Sequence, residues 1–188
     1  MENSLLEYSC INIILDNRRQ DDYDRLLAEF EIQGISNYRF WDAITDKKTV
    51  IECINASHKM IVRDAKDRCL PYVVIMEQDC TFPAMDGWKY FIKNIPEQFD
   101  IFSAATYVDD LEDKNILCGF HLYIVNSCFY DTFLSVIDTG HIDTEVDNLK
   151  ADFKVCRPFA ALQRKGWSFN HSMIVDYNIV VNPKDIYL

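Results

Sequence analysis

Residues 71–80 read PYVVIMEQDC, and this stretch constrains the fold more than any other part of the chain. Five apolar residues, 72–76, follow one another without polar alternation, and three of them are β-branched. A run so short and so continuous predicts a strand covered on both faces, as in a largely parallel sheet with helices on each side. The run stops at Glu77, Gln78 and Asp79. In open α/β sheets ligands bind outside the carboxyl ends of the strands, so an acidic turn at such an end lies where a ligand would be met. Glu77 and Asp79 would share one face of a continuing strand, or converge at a turn on one hard cation that keeps sites free for phosphate oxygens. Two carboxylates after a strand also suit a solvated loop, and their spacing alone leaves both readings open.

The residues before this stretch predict a βαβ start. SCINIIL at 9–15 is an apolar run ending at Asp16 and Asn17, followed directly by Arg18 and Arg19. Tyr23, Leu26, Leu27, Phe30 and Ile32 then make a near-helical stripe with acidic residues in its first turn and Gly34 as its stop. A second strand is expected at 38–41, so a parallel sheet is the default. Residues 47–68 are expected to be helical, with Val50, Ile54, Ile61 and Ala65 inward and Ser57 and His58 inside the helix.

Beyond the acidic turn, a short helix is expected at 87–95, strands at 99–105 and 120–125, and a helix at 127–138 with Phe129, Phe133, Leu134 and Ile137 inward, ended by Gly140. Asp109, Asp110, Glu112 and Asp113 read as a solvated acidic loop. An acidic helix at 141–150 and a strand FKVC follow, and the tail from Gln163 to Tyr177 reads as a loop folding back over a site.

The 188 residues suit one domain with a real core, and the apolar ending Ile186, Tyr187, Leu188 fits a domain cut from a longer polypeptide. A formal charge of −11 argues against nucleic acid or an anionic membrane as partner through the overall field. A phosphate ligand would need local compensation, for which a bound divalent cation is the simplest source. The seven cysteines stand singly with no C-x-x-C pair, which favours free thiols, and no long apolar stretch suggests a signal or membrane span. The expectation is a soluble cytoplasmic protein in a reducing compartment.

In order along the chain, these stretches resemble the GT-A-type glycosyltransferases, in particular the lipooligosaccharide and collagen galactosyltransferases of glycosyltransferase family 25. INIILDNRR resembles the family's opening strand and its Asp-Arg-Arg-like segment. Cys53 to His58 is similar to its G-C-x-x-S-H helix without the leading glycine, and Met76 to Asp79 to its strand ending in E-D-D, with Gln78 in the middle place. Gly119 to Asn126 resembles a later strand, His141 to Val146 a helix start carrying an Asp, and Pro158 to Ser168 the closing P-x-x-x-x-Q segment. Tyr23 stands where the family often has arginine. A compact chain with free thiols is also similar to the sugar transferases of large DNA viruses that act on capsid proteins.

The resemblance implies a GT-A-like α/β fold, with a mixed, mostly parallel central sheet flanked by helices. It implies metal-dependent transfer of a hexose from a nucleotide-diphosphate sugar, a UDP-sugar first, to a hydroxyl of a glycan or glycoprotein, with inversion. Glu77 and Asp79 would hold Mn2+ or Mg2+, with His171 as third ligand from the tail. Arg18, Arg19, Asp42, Ala43, Ser57, His58, Glu77, Gln78 and Asp79 would line the nucleotide-sugar site. Asp143 would be the general base, with Asp147 one helical turn on. Gln78 leaves open a second class, a catalytically silent nucleotide-sugar-binding or capsid/glycan interaction domain. A glycoside hydrolase is disfavoured, because residues two apart cannot flank a sugar at the roughly 5–9.5 Å such enzymes use.

Overall fold

The computed structural model describes residues 10–19, 21–107 and 119–188. The acidic loop expected around Asp109 to Asp113 lies outside the described residues, as does the side chain of Asp147.

A six-stranded sheet runs in the order β2 (Tyr38–Asp42), β1 (Ile11–Leu15), β3 (Tyr72–Glu77), β6 (Leu122–Asn126), β5 (Ile101–Ser103), β7 (Phe153–Val155). Pairing is parallel except on the two sides of β6, which alone runs against the rest. The expected mixed, mostly parallel α/β sheet is therefore present.

Strand β3 shows why its sequence lacks alternation. Val74 and Met76 pack into one core with Leu26 and Phe30 of helix α1 (Asp21–Gln33) and Trp88, Phe91 and Ile92 of α3 (Gly87–Lys93). Val73 and Ile75 pack into a second core with Ile61, Val62 and Ala65 of α2 (Val50–Asp67), Tyr130 and Phe133 of α4 (Tyr130–Leu134), and Ile142 and Val146 of α5 (Ile142–Asn148). Each such side chain stabilises by about 1.5–3 kcal/mol when fully buried, so both faces of the strand must be apolar.

The connections place a crevice. Strand β1 leads through α1 to β2 on one side, and β2 leads back through α2 to β3 on the other, with the two helices on opposite faces of the sheet. The chain reverses direction around β1 and β3, whose carboxyl ends therefore diverge into open loops, the usual ligand position in such sheets. Gly34 ends α1 at φ +68°, a left-handed conformation that costs glycine little.

Three expectations need correction. The helix expected over 127–138 is a 3-10 turn, Ser127–Phe129, and a short α4, so Ile137 is 58% exposed while Tyr130 and Val136 take the buried places. The helix has already ended before Gly140 is reached, and the strand expected over 99–105 shrinks to Ile101–Ser103. Helix α2 starts at Val50, capped by Thr49, whose side chain accepts from Glu52 N, and its buried face is partly polar. Asn55 donates to Gly140 O at 2.7 Å, and Lys59 binds Val136 O and Asp138 Oδ1, so this helix fastens the loop after α4 through polar side chains, and Val50 stays partly exposed.

All six cysteines among the described residues are free thiols, and no helix among them is long and apolar enough to cross a membrane.

Candidate active site

The carboxyl end of β1 is a tight turn. Arg19 N donates to Asp16 O at 2.9 Å, and Asp16 accepts from both Arg18 N and Arg18 Nε. Burial pushes the Asp16 carboxyl up, but the bonds from Arg18 prevail and hold it below its ordinary value. The end of β3 is stitched to this turn by Gln78, whose Oε1 accepts from Asp16 N at 2.6 Å. The middle residue of the acidic tripeptide thus aligns two strand ends.

Asp79 is reached from the far end of the chain. The two-residue strand β4 (Cys80–Thr81) pairs antiparallel with β8 (Leu162–Gln163), Arg164 N donates to Asp79 O at 2.7 Å, and Gln163 Nε2 donates to Asp79 Oδ2 at 3.0 Å. Arg19 Nη1 stands 3.6 Å from the same oxygen. The other oxygen, Asp79 Oδ1, is buried and has no hydrogen-bond partner among the described residues.

Glu77 is oriented from behind. Its Oε1 lies 3.0 Å from His58 Nε2, and His58 Nδ1 lies 2.7 Å from the Tyr123 hydroxyl. His58 is only 1% exposed and both its ring nitrogens are engaged, whereas 28% of the Glu77 side chain faces solvent. Burial pushes the Tyr123 phenol well up, so its hydroxyl keeps a proton to donate. A lone pair on Nδ1 and a proton on Nε2 then satisfy all three groups. Burial also pushes the Glu77 carboxyl up; the bond from His58 opposes this, and Asp79 and Asp143 reinforce it.

These strand ends form one wall of a cleft of about 170 Å³, whose opposite wall is the tail. The tail forms a hairpin of β9 (Gly166–Ser168) and β10 (Met173–Val175), and the Arg18 guanidinium lies 4.0 Å above the Phe169 ring. Arg18, Arg19, Ala43, Ser57, His58, Glu77, Gln78 and Asp79 all line this cleft, together with Arg164 and Trp167. Asp42 does not; its Oδ1 accepts from Asn17 Nδ2 at 2.8 Å on the surface. Ser57 is engaged within the protein, donating to Cys53 O and accepting from Ile44 N.

A second cavity, of about 370 Å³, adjoins the first and shares Ile54, Glu77, Gln163, Ser168 and Asn170 with it. Together they reach the size of a small-molecule site, roughly 300–1,000 Å³. Asp143 faces this second cavity, its oxygens accepting from Thr144 N at 2.9 Å and Gly119 N at 3.2 Å. His171 lines it too, its ring edge-on to Tyr177. His171 is therefore in the cavity that includes Glu77 but not Asp79. Among the described residues no three His, Cys, Asp or Glu side chains are grouped closely enough to hold a metal ion by themselves.

Sequence reasoning missed Asp22, Gln163, Arg164 and Tyr123. For Asp22 and Arg164 the only signal was the basic stretch Arg164-Lys165 in a polar tail opposite an acidic first turn of α1; Gln163 is the glutamine of the closing P-x-x-x-x-Q segment and Tyr123 lies in the strand resemblance at Gly119 to Asn126, but neither carries a signal of a role in the site.

The class this architecture defines is the GT-A fold of nucleotide-diphospho-sugar transferases. A glycosyltransferase involved in the glycosylation of the major capsid of PBCV-1 superposes with a TM-score of 0.50 at 10% identity, over 78% of this chain and 81% of its own. The mannosyltransferase PcManGT from Pyrobaculum calidifontis, in complex with GDP-Man and Mn2+, superposes with a TM-score of 0.50 at 10% identity, over 79% of this chain and 56% of its own. At such identities the likeness is one of fold. No protein-family model matches the chain, and no curated protein matches it either.

Proposed function

We propose that this chain is a glycosyltransferase that moves a hexose from a nucleoside-diphosphate sugar, a UDP-sugar first, to a hydroxyl of a glycan or glycoprotein, with inversion. The observation that carries the reading is the position of Glu77 at the seam of two joined cavities. One is lined by Asp79 and the guanidinium groups of Arg18, Arg19 and Arg164, and the other by Asp143. The first suits a diphosphate and the second an acceptor hydroxyl. The resemblance to family 25 and the capsid glycosyltransferase and GDP-Man mannosyltransferase among the fold neighbours point the same way.

A divalent cation fits the residues present. The unpartnered Asp79 Oδ1 is a buried, hard oxygen beside the cleft, and Glu77 is two residues away on the same turn. Asp79 and Glu77 would hold Mn2+ or Mg2+, with His171 the tail residue nearest in role. When bound, such an ion offsets the charge that develops on the leaving diphosphate.

The chain's own residues do the rest. Gln163 and Arg19 fix the Asp79 carboxylate, and His58 fixes that of Glu77. Asp143, oriented by two backbone N–H groups, takes the acceptor hydroxyl's proton as that oxygen bonds to the anomeric carbon and the bond from this carbon to the phosphate oxygen breaks. Asp147 is the alternative base. The alternative of binding without turnover rests on Gln78, whose side-chain carbonyl here accepts from Asp16 N and aligns two strand ends.

The test is a thermal-shift screen of UDP-, GDP- and other nucleotide sugars with and without manganese, followed by release of nucleoside diphosphate from the best binder. Metal-dependent release, absent in Asp79→Asn, is expected. Binding with no release on any acceptor would favour the silent module, and the absence of nucleotide-sugar binding under both conditions overturns the proposal.

A further inference from the structure

Asp22 lies in the first turn of α1, is 2% exposed, and gathers three arginines. Arg19 Nε stands 3.1 Å and Arg25 Nε 3.6 Å from its oxygens, and Arg164 reaches it from the opposite end of the chain. A buried carboxylate in such a knot is poor value for stability, because desolvation offsets most of the attraction. The knot does, however, fix where the guanidinium groups point.

Arg25 is directed inward, to Gln78 O and Cys80 O. Arg19 and Arg164 instead line the cleft beside Asp79 and also a second groove on its outer side, shared with Arg18, Lys165 and Trp167. Arg164 is 41% exposed at its side chain, and among the described residues its guanidinium bonds only to Asp22. Gly166 keeps the hairpin clear of Arg19, since a Cβ there would stand 3.2 Å from Arg19 Nη2. In a chain of net charge −11 this groove, which Asp22 also lines, gathers Arg18, Arg19, Arg164 and Lys165 at one place, local donors where the overall field would repel an anion.

Resting on the reading above, we propose that Arg19 and Arg164, with Asp22 as their positioning residue, grip the donor's diphosphate directly, so that nucleoside diphosphate binds without a divalent cation. Two forked, fixed guanidinium groups match phosphate oxygens in charge and geometry. The cation is then needed for transfer but not for capture.

The experiment is calorimetric titration of the full chain with UDP, uridine and inorganic pyrophosphate, in EDTA and again in manganese. In EDTA the wild type is expected to bind UDP at least about 10-fold more tightly than uridine, and to bind pyrophosphate. Arg164→Ala, at an exposed position, should lose about 10-fold or more of affinity for UDP and pyrophosphate while uridine is unchanged; Arg164→Lys should recover part of it. Asp22→Asn should lower the UDP-to-uridine ratio in the same direction, a readout that a general loss of stability would not move.

A UDP preference that appears only with manganese, or an Arg164→Ala that weakens UDP and uridine alike, overturns the inference and leaves the transferase reading standing. Pyrophosphate binding without binding of any nucleotide supports the anion site and sinks the donor assignment. Absence of both, with and without manganese, overturns both.

Discussion

The buried row Tyr123, His58, Glu77 makes a prediction that depends on no ligand. In His58→Leu the side chain is replaced by an apolar one that cannot bond, which orphans the Tyr123 hydroxyl and removes the donor to Glu77. An unsatisfied buried hydroxyl costs about 1–3 kcal/mol, and a bond to a carboxylate is worth about 1.5–3 kcal/mol, taken at its low end because solvent reaches Glu77. The expected loss is therefore about 3 kcal/mol, a large share of a typical domain stability of roughly 5–15 kcal/mol. Tyr123→Phe removes only the hydroxyl and leaves His58 Nδ1 orphaned, for a loss of about 1–2 kcal/mol. In the double variant neither the hydroxyl nor Nδ1 is left to be orphaned and only the lost bond to Glu77 remains, so its cost should fall short of the sum by about 3 kcal/mol. Urea unfolding followed by circular dichroism at neutral pH measures all three. A His58→Leu loss within about 0.5 kcal/mol of zero, or single costs that add within about 0.5 kcal/mol, would refute the row as a coupled unit.

Two further outcomes follow from the carboxylates Glu77 and Asp143. The Glu77 carboxyl is held above its ordinary value of 4.5, so its protonated form favours the folded state; that contribution is complete below about pH 4.5 and is lost as pH rises through the folded pKa. Glu77→Gln cannot ionise and still accepts from His58, so the variant should gain stability over wild type as pH climbs above that range and show no gain at pH 4 and below; urea midpoints across pH 4–8 decide it, and a gain of equal size at every pH would remove the charge as cause. Asp143→Asn should lower turnover by about 10²–10⁴-fold with donor affinity unchanged, the usual range for loss of a general base, and an equal loss of donor affinity would place Asp143 in the donor site.

The first half of the fold was legible because its elements are long or strongly patterned. The run at 72–76 had to be a strand covered twice, and the stripe from Tyr23 to Ile32 with Gly34 behind it had to be a helix with a stop. The later elements are two to seven residues long, and their burial is decided by neighbours distant in sequence: Ile137 turns outward because polar side chains from α2 capture that loop's backbone. The strand-end wall of the cleft was likewise readable from position. The other wall was not, since Asp22 looks like any acidic first-turn residue until Arg164, 142 residues away, closes on it. Asp42 shows the converse: the end of the right strand, but a side chain turned to the surface and bonded to Asn17.

The pairings of β8 with β4 and of β9 with β10 lie outside the main sheet, yet Gln163 and Arg164 reach Asp79 from there and residues 166–170 line the cleft opposite the strand ends. The molecule is thereby divided between an anvil, the strand ends that the core makes rigid, and a jaw, residues 162–178, tied to it by one short ladder, by buried Leu162, and by bonds of Gln163 and Arg164. Mutations at the jaw's exposed positions, such as Trp167, Met173 and Ile174, can recut the shape offered to a sugar while leaving the core in place, so this short segment is where relatives with different tastes should be expected to diverge.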